Sequence, residues 1–155
     1  MKITALLIAL LLSGLSLPSM AQEGCNIQLN AGDTLEFDQS QILIPANCKT
    51  FTVKLTHTGR LPKKATGHNW VLTTQSDLER VARDGYRAGE ENGWLKPDDP
   101  RVIAQTPIIG RGESTEVTID VSKLNPALTY GFMCSVGGHS PRMRGTLRID
   151  SKPSS

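Results

Sequence analysis

The chain has 155 residues, with 17 Lys and Arg against 15 Asp and Glu, a formal net charge of +2. That length supports one domain with a real hydrophobic core. The near-even charge balance excludes the broad basic footprint of a nucleic-acid binder, although local charged patches can still steer a partner.

Taken in chain order, the first segment is a targeting signal by pattern. Met1 and Lys2 give a short positive start, Ile3 to Leu12 is almost wholly apolar, Leu17-Pro18 breaks the run, and Ser19-Met20-Ala21 supplies small residues for signal peptidase. The apolar run is too short to span a bilayer comfortably, and the chain has no second one. We therefore expect a cleaved signal peptide over 1–21, export to the periplasm without stable membrane association, and a single domain over 22–155. Ser151 to Ser155 reads as a polar tail.

Most of the chain beyond residue 21 reads as short strands. Ile27 and Leu29 alternate with polar residues, as do Leu35 and Phe37. Phe51, Val53 and Leu55 give the clearest alternation, with Thr50, Thr52, Lys54 and Thr56 facing the other way. Ser76 followed by Glu79 resembles a capping box, and Leu78, Val81 and Ala82 recur at helical spacing. Gly85 and Gly89 are expected to end that helix early, with Gly93 to Pro100 as a polar loop. Val117, Ile119 and Val121 then resume period two, Leu128 to Met133 is strand-like, and Leu147 and Ile149 close the pattern. Alternation of this kind means sheets with one buried and one wet face. Gly32, Pro45-Ala46-Asn47, Gly59, Gly110-Arg111-Gly112 and Asn125-Pro126 separate the runs. The fold class is all-β, a sandwich with one short helix and its loop inserted outside it.

Three cysteines are present, Cys25, Cys48 and Cys134. In an oxidising compartment two of them are expected to pair. Cys25 and Cys48 lie nearest in sequence, each at the edge of a strand-like run, which leaves Cys134 over. An odd thiol kept reduced outside the cytosol is either buried or bound to a metal. Its surroundings favour the metal: Cys134, His139 and Met143 sit five and four positions apart in Cys134-Ser135-Val136-Gly137-Gly138-His139-Ser140-Pro141-Arg142-Met143. A thiolate, an imidazole and a thioether suit copper far better than magnesium or calcium. Gly137 and Gly138 allow the sharp turns that bring such ligands together. A mononuclear copper site also wants a second imidazole, and His57 and His68 are both candidates on spacing alone.

The whole stretch from 22 onward resembles the azurin group of the blue-copper (cupredoxin) family. The resemblance is carried by Leu61-Pro62-Lys63, Gly67-His68-Asn69-Trp70-Val71-Leu72, Leu95-Lys96-Pro97-Asp98-Asp99, Arg101-Val102-Ile103-Ala104 and Asp120-Val121-Ser122-Lys123-Leu124. Cys134, Gly138-His139-Ser140 and Met143 complete it. The resemblance implies a Greek-key β-sandwich of the cupredoxin type. It implies one type 1 (blue) copper ion with His68, Cys134 and His139 as trigonal ligands, Met143 as weak axial ligand, and the Gly67 backbone carbonyl opposite. It implies a Cys25–Cys48 disulfide, and hydrogen bonds from the amides of Asn69 and Val136 to the Cys134 sulfur.

The activity implied is single-electron transport between redox proteins, with no substrate transformed and no enzyme chemistry. A c-type cytochrome or a copper reductase fits as donor or acceptor, and the carrier is expected to be a monomer. Family members present an apolar docking patch around the equivalent of His139. The matching positions are Leu35, Leu61, Thr66, Tyr86, Val136, Gly137, Gly138 and Pro141, with Arg142 where an apolar residue is usual and Gly137 where proline is common. That patch is smaller and more basic, which implies a partner with a more acidic face.

Other readings are weaker. A copper-delivery protein needs labile, Met-rich ligands, and the chain has four Met in all. A multicopper reductase needs more than three histidines. Zinc suits the same ligand types. Met133, one residue before Cys134, should face the opposite side of its strand and serve packing. His57 is expected buried or half-buried near the site, Trp70 in the core, and Lys63-Lys64 and Asp98-Asp99 solvated.

Overall fold

The computed structural model describes residues 24–150, so the expected signal over 1–21 and the tail over 151–155 lie outside the described residues. The elements run in the order β1 (Asn26–Ala31), β2 (Gln41–Ile44), β3 (Thr50–His57), α1 (Lys63–Thr66), β4 (Val71–Thr74), α2 (Leu78–Ala88), β5 (Ala104–Gln105), β6 (Ser114–Asp120), β7 (Tyr130–Met133) and β8 (Arg144–Ile149), with short 3-10 turns at Glu90–Asn92 and Val121–Lys123. They build two sheets, β1-β3-β6 and β2-β8-β7-β4-β5. Neighbours in the first sheet and half of those in the second are non-sequential, and β1–β3 and β2–β8 pair in parallel within otherwise antiparallel sheets. This is a cupredoxin-like β-sandwich.

Parity along the strands decides which side chains meet between the sheets. On β1 and β3 the buried residues are Ile27, Leu29, Ala31, Phe51, Val53 and Leu55, and the alternation carries on to His57. From the other sheet come Ile42, Ile44, Leu72, Tyr130, Phe132 and Leu147, with Trp70 just ahead of β4. Each fully buried large side chain stabilises by roughly 1.5–3 kcal/mol relative to exposure. Following the same parity, Tyr130, Phe132 and Cys134 point inward, as do Leu72, Trp70 and His68. The fold thus aims an imidazole and a thiol at the same end of the core. Met133 and Val71 have the opposite parity and pack under α2 with Leu78, Val81 and Leu95, forming a second small core outside the sandwich. The helix is therefore an external insertion, as the sequence implies.

The covalent staple is present: Cys25 and Cys48 are bonded across a separation of 23 residues, tying the start of β1 to the loop before β3. Cys134 is free and buried.

Several local expectations need correction. The helix does not begin on a capping box: α2 starts at Leu78 behind Asp77, with no side-chain cap. Asp77 is drawn away by Thr74 and Arg80, Ser76 bonds Thr74, and Glu79 pairs with Arg144 instead. Gly85 does not end the helix; it lies inside it, where the Trp94 carbonyl crosses too close for a Cβ, and Gly89 alone forms the cap. Leu35 and Phe37 form no strand, because Leu35 takes a left-handed φ of 57° in a turn and Phe37 keeps only an isolated bridge to Ala31. Val121 opens a 3-10 turn after β6. The short α1 and the strands β2 and β5 carry too few residues to leave a period in the sequence. Asp99 is not solvated: its buried carboxylate takes Arg101 in a two-pronged pair, with Nε at 2.8 Å and Nη2 at 2.5 Å. Lys63 and Lys64 are exposed, with Lys63 paired to Glu113 at 3.1 Å.

Candidate metal centre

Three donors converge at one end of the sandwich. Cys134 Sγ lies 3.9 Å from His68 Nδ1 and 3.5 Å from His139 Nδ1, and the three ligand atoms all fall within 4.8 Å of one another. A first-row metal with bonds of about 2.0–2.1 Å to nitrogen and about 2.3 Å to sulfur places such atoms about 3.6–3.8 Å apart, between tetrahedral and trigonal-planar angles. The observed spacings fit a metal held by these three atoms.

The backbone explains the convergence. His68 is pinned by a pair of hydrogen bonds with Ile109, its N–H to the Ile109 carbonyl at 2.9 Å and the return bond at 2.8 Å. The Gly32 carbonyl accepts from His68 Nε2 at 2.8 Å. A carbonyl can only accept, so the proton sits on Nε2 and the Nδ1 lone pair faces Cys134. The loop from Cys134 to Met143 is closed at its base by Cys134 N–H to the Met143 carbonyl at 2.9 Å. Within it, the His139 carbonyl accepts from the N–H groups of Arg142 and Met143 at 3.0 and 2.9 Å. This compact turn carries His139 over the sulfur and Met143 back into the core, where its side chain is fully buried in the same cluster as Cys134. Gly67 caps α1, and a Cβ there would stand 2.5 Å from the Lys63 carbonyl, so only glycine lets the backbone pass.

The structure separates the two histidine candidates. His57 is buried and stacks on His68 with ring centroids 4.9 Å apart. Its Nε2–H donates to the Thr66 carbonyl at 2.6 Å, and its Nδ1 accepts from Gly59 N–H at 3.1 Å. Both ring nitrogens are engaged by backbone, whereas His68 keeps one free.

The backbone amides of Asn69 and Val136 act to lower the pKa of the Cys134 thiol. Burial nonetheless outweighs them and pushes the free thiol up to about 11. Burial acts the other way on the imidazoles. It lowers His68 to about 4 despite the Gly32 hydrogen bond, and it lowers His139. At neutral pH both imidazoles therefore carry free lone pairs, and the thiol waits for a metal to displace its proton.

The sequence reading gives Asn69 a backbone role only and passes over Ser135. Asn69 Oδ1 accepts from the Ser135 amide at 2.9 Å, and its Nδ2 donates to Ser135 Oγ at 2.8 Å, zipping the His68 and Cys134 segments together. Ser135 Oγ also donates to the Gly93 carbonyl at 3.3 Å. Only the Gly-His-Asn-Trp resemblance hinted at Asn69, and nothing local marked Ser135. Of the expected patch, Leu61 and Tyr86 are exposed at 45% and 62%, and Gly138, Pro141 and Arg142 are exposed with them. Leu35, Val136 and Gly137 are half-buried. Thr66 is a correction: it is buried, with Oγ1 donating to Asp33 at 3.1 Å, and offers no surface.

A thiolate and two imidazoles on a β-sandwich, with a buried thioether in the same cluster, define a mononuclear centre for a soft, redox-active metal. The family model for copper-binding proteins of the plastocyanin/azurin family matches residues 23–150. The chain is 48% identical to the azurin of Pseudomonas aeruginosa PAO1 over 139 residues, which covers 90% of this chain and 93% of that protein. It is 45% identical to the azurin of Bordetella pertussis over 139 residues, with 90% and 92% covered. Its structure is similar to that of an azurin (Az-iso2) from the obligate methylotroph Methylomonas sp. strain J, with a TM-score of 0.78 and 44% identity over 82% of this chain and 98% of that one. The chain belongs to the plastocyanin/azurin family of copper-binding proteins: it is a blue-copper protein, and its cofactor is copper.

Proposed function

We propose that this chain is an exported, periplasmic carrier of single electrons, with one copper ion held by His68 Nδ1, Cys134 Sγ and His139 Nδ1, Met143 as a weak axial ligand and the Gly67 carbonyl opposite it. The observation that supports this most is the convergence of one free thiol and two free imidazole lone pairs, already at metal-binding spacing. Copper supplies a one-electron couple between its two common oxidation states. The chain's own residues make that couple fast. Hydrogen bonds involving Gly32, Asn69, Ile109 and Ser135 hold the ligand segments in place, so little has to move when charge changes.

Electrons would pass at His139, a residue 8% exposed in the ligand loop. Leu35, Leu61, Tyr86, Val136, Gly137, Gly138 and Pro141 would form the docking face around it. Its partners would be redox proteins such as a c-type cytochrome or a copper reductase, and the carrier a monomer. Arg142 adds charge to this face and pairs with Glu36 at 3.1 Å. Both side chains are well exposed, so that pair is weak and an acidic partner can compete for the guanidinium. The 1–21 segment is the export signal in this reading.

Adding copper(II) to the purified 22–155 protein tests the site. An intense blue colour that bleaches on reduction is expected; a pale complex refutes a thiolate–copper carrier. Arg142→Glu should slow transfer with an acidic partner and weaken its salt dependence, and rates indifferent to both would remove the docking claim.

A further inference from the structure

Trp94 lies outside the ligand loop in sequence, yet its indole rests on that loop. A Cβ built on Gly137 would stand 2.7, 2.8 and 3.0 Å from Cη2, Cζ3 and Cζ2 of the ring. Glycine at 137 is what allows this contact. The conformation is held against a backbone preference: Gly93 and Trp94 both adopt left-handed φ, 63° and 58°, and a bulky residue does so only when its surroundings enforce it. Three contacts enforce it here. The Trp94 N–H donates to the Gly89 carbonyl at 3.0 Å. The Trp94 carbonyl presses on Gly85 inside α2, and the Gly93 carbonyl accepts from Ser135 Oγ. Tyr86 flanks the indole from outside, ring centroids 5.7 Å apart.

Val136, the residue before Gly137, serves both ligands on either side of it. Its carbonyl accepts from the His139 N–H at 2.9 Å, and its amide acts on the Cys134 thiol to lower its pKa. We propose that Trp94 is a positioning residue of the copper site: clamped between α2 and Gly137, its ring holds the Val136–Gly137 peptide so that the Val136 amide stays on the Cys134 sulfur, taking the place of a side chain at 137 as the stiffener of the loop. The inference rests on copper being held by Cys134. The intensity of the blue band in the unsubstituted protein tests that reading separately.

A hydrogen bond to the thiolate withdraws electron density and disfavours the more oxidised metal. Loosening the amide should therefore lower the reduction potential. The test is a double-mutant cycle of Trp94→Leu and Gly137→Ala. Either single change should lower the potential, the second because its new Cβ displaces the indole. The pair together should shift it by less than the sum, since both act through one contact. Trp94→Phe, which keeps a flat ring, should restore most of the potential. In the copper(I) protein of Trp94→Leu, the Val136 amide should exchange with solvent about tenfold faster, while amides of β3 keep their rates. Additive shifts, or a potential and a Val136 exchange rate unchanged in Trp94→Leu, would overturn the proposal and leave Trp94 as mere cover.

Discussion

Consider loading the metal-free protein with copper(I) at a series of pH values from about 6.5 to about 10. Cys134 is the free thiol among the described residues, and burial holds it up at about 11 rather than the ordinary 9.0. His68, at about 4, and His139, lowered by burial, are already neutral across this range. Binding should therefore release one proton, from Cys134. At neutral pH roughly one folded molecule in ten thousand carries the thiolate, and the apparent association constant should rise about tenfold per pH unit. An unperturbed thiol would flatten that slope near its own value of 9.0, whereas this one should keep rising to about 11. The same shift has a folding consequence. A folded pKa raised above the unfolded one adds stability that is complete below about 9 and is lost as pH climbs through about 11, about 3 kcal/mol for the metal-free protein. Competition with a chelator of known proton affinity measures the slope, and proton release in weak buffer measures the stoichiometry. A slope near zero at neutral pH would mean that the thiol is already ionised, and the reasoning from burial would be wrong. A Cys134→Ala protein should release no proton.

Further outcomes are expected elsewhere. Replacing Cys25 and Cys48 together by serine opens a loop closed across 23 residues; this should cost about 3 kcal/mol in denaturant unfolding, and an unchanged midpoint would deny the staple its role. Asn69→Ala strands the buried Ser135 N–H and Ser135→Ala strands the Asn69 Nδ2 donor, so each should cost about 1–3 kcal/mol in denaturant unfolding; an unchanged midpoint in both would contradict the zipper. Met143→Leu conserves volume at a fully buried position, so stability should fall by less than about 1.5 kcal/mol. Its reduction potential should rise, because an apolar group donates nothing to the higher oxidation state. An unmoved potential would place the thioether away from the copper.

Much of this protein is legible in one dimension because strand parity is a local property. The alternation of Phe51, Val53 and Leu55 marks a buried face, and the same count carries inward to His57, Cys134 and His68. The ligand loop is equally local, since its thiolate, imidazole and thioether lie within ten residues. What sequence reading alone misses is set by partners far along the chain. Spacing leaves His57 and His68 alike and the family resemblance names His68, but the physical reason lies in the backbone groups of Gly59, Thr66 and Gly32, which engage both ring nitrogens of His57 and only one of His68. Leu35 and Phe37 have the right period for a strand but lack a ladder to join. Asp99 reads as solvated until Arg101 folds onto it. Asn69 meets Ser135 across 66 positions because β4 and β7 pair in that register. The sequence by itself thus determined the sandwich, the disulfide candidates and the chemical type of the metal centre. Tertiary structure decided why His68 and not His57 keeps a free nitrogen, the proton on the thiol and the indole laid on Gly137, because burial, hydrogen-bond competition and close packing arise only when distant segments meet.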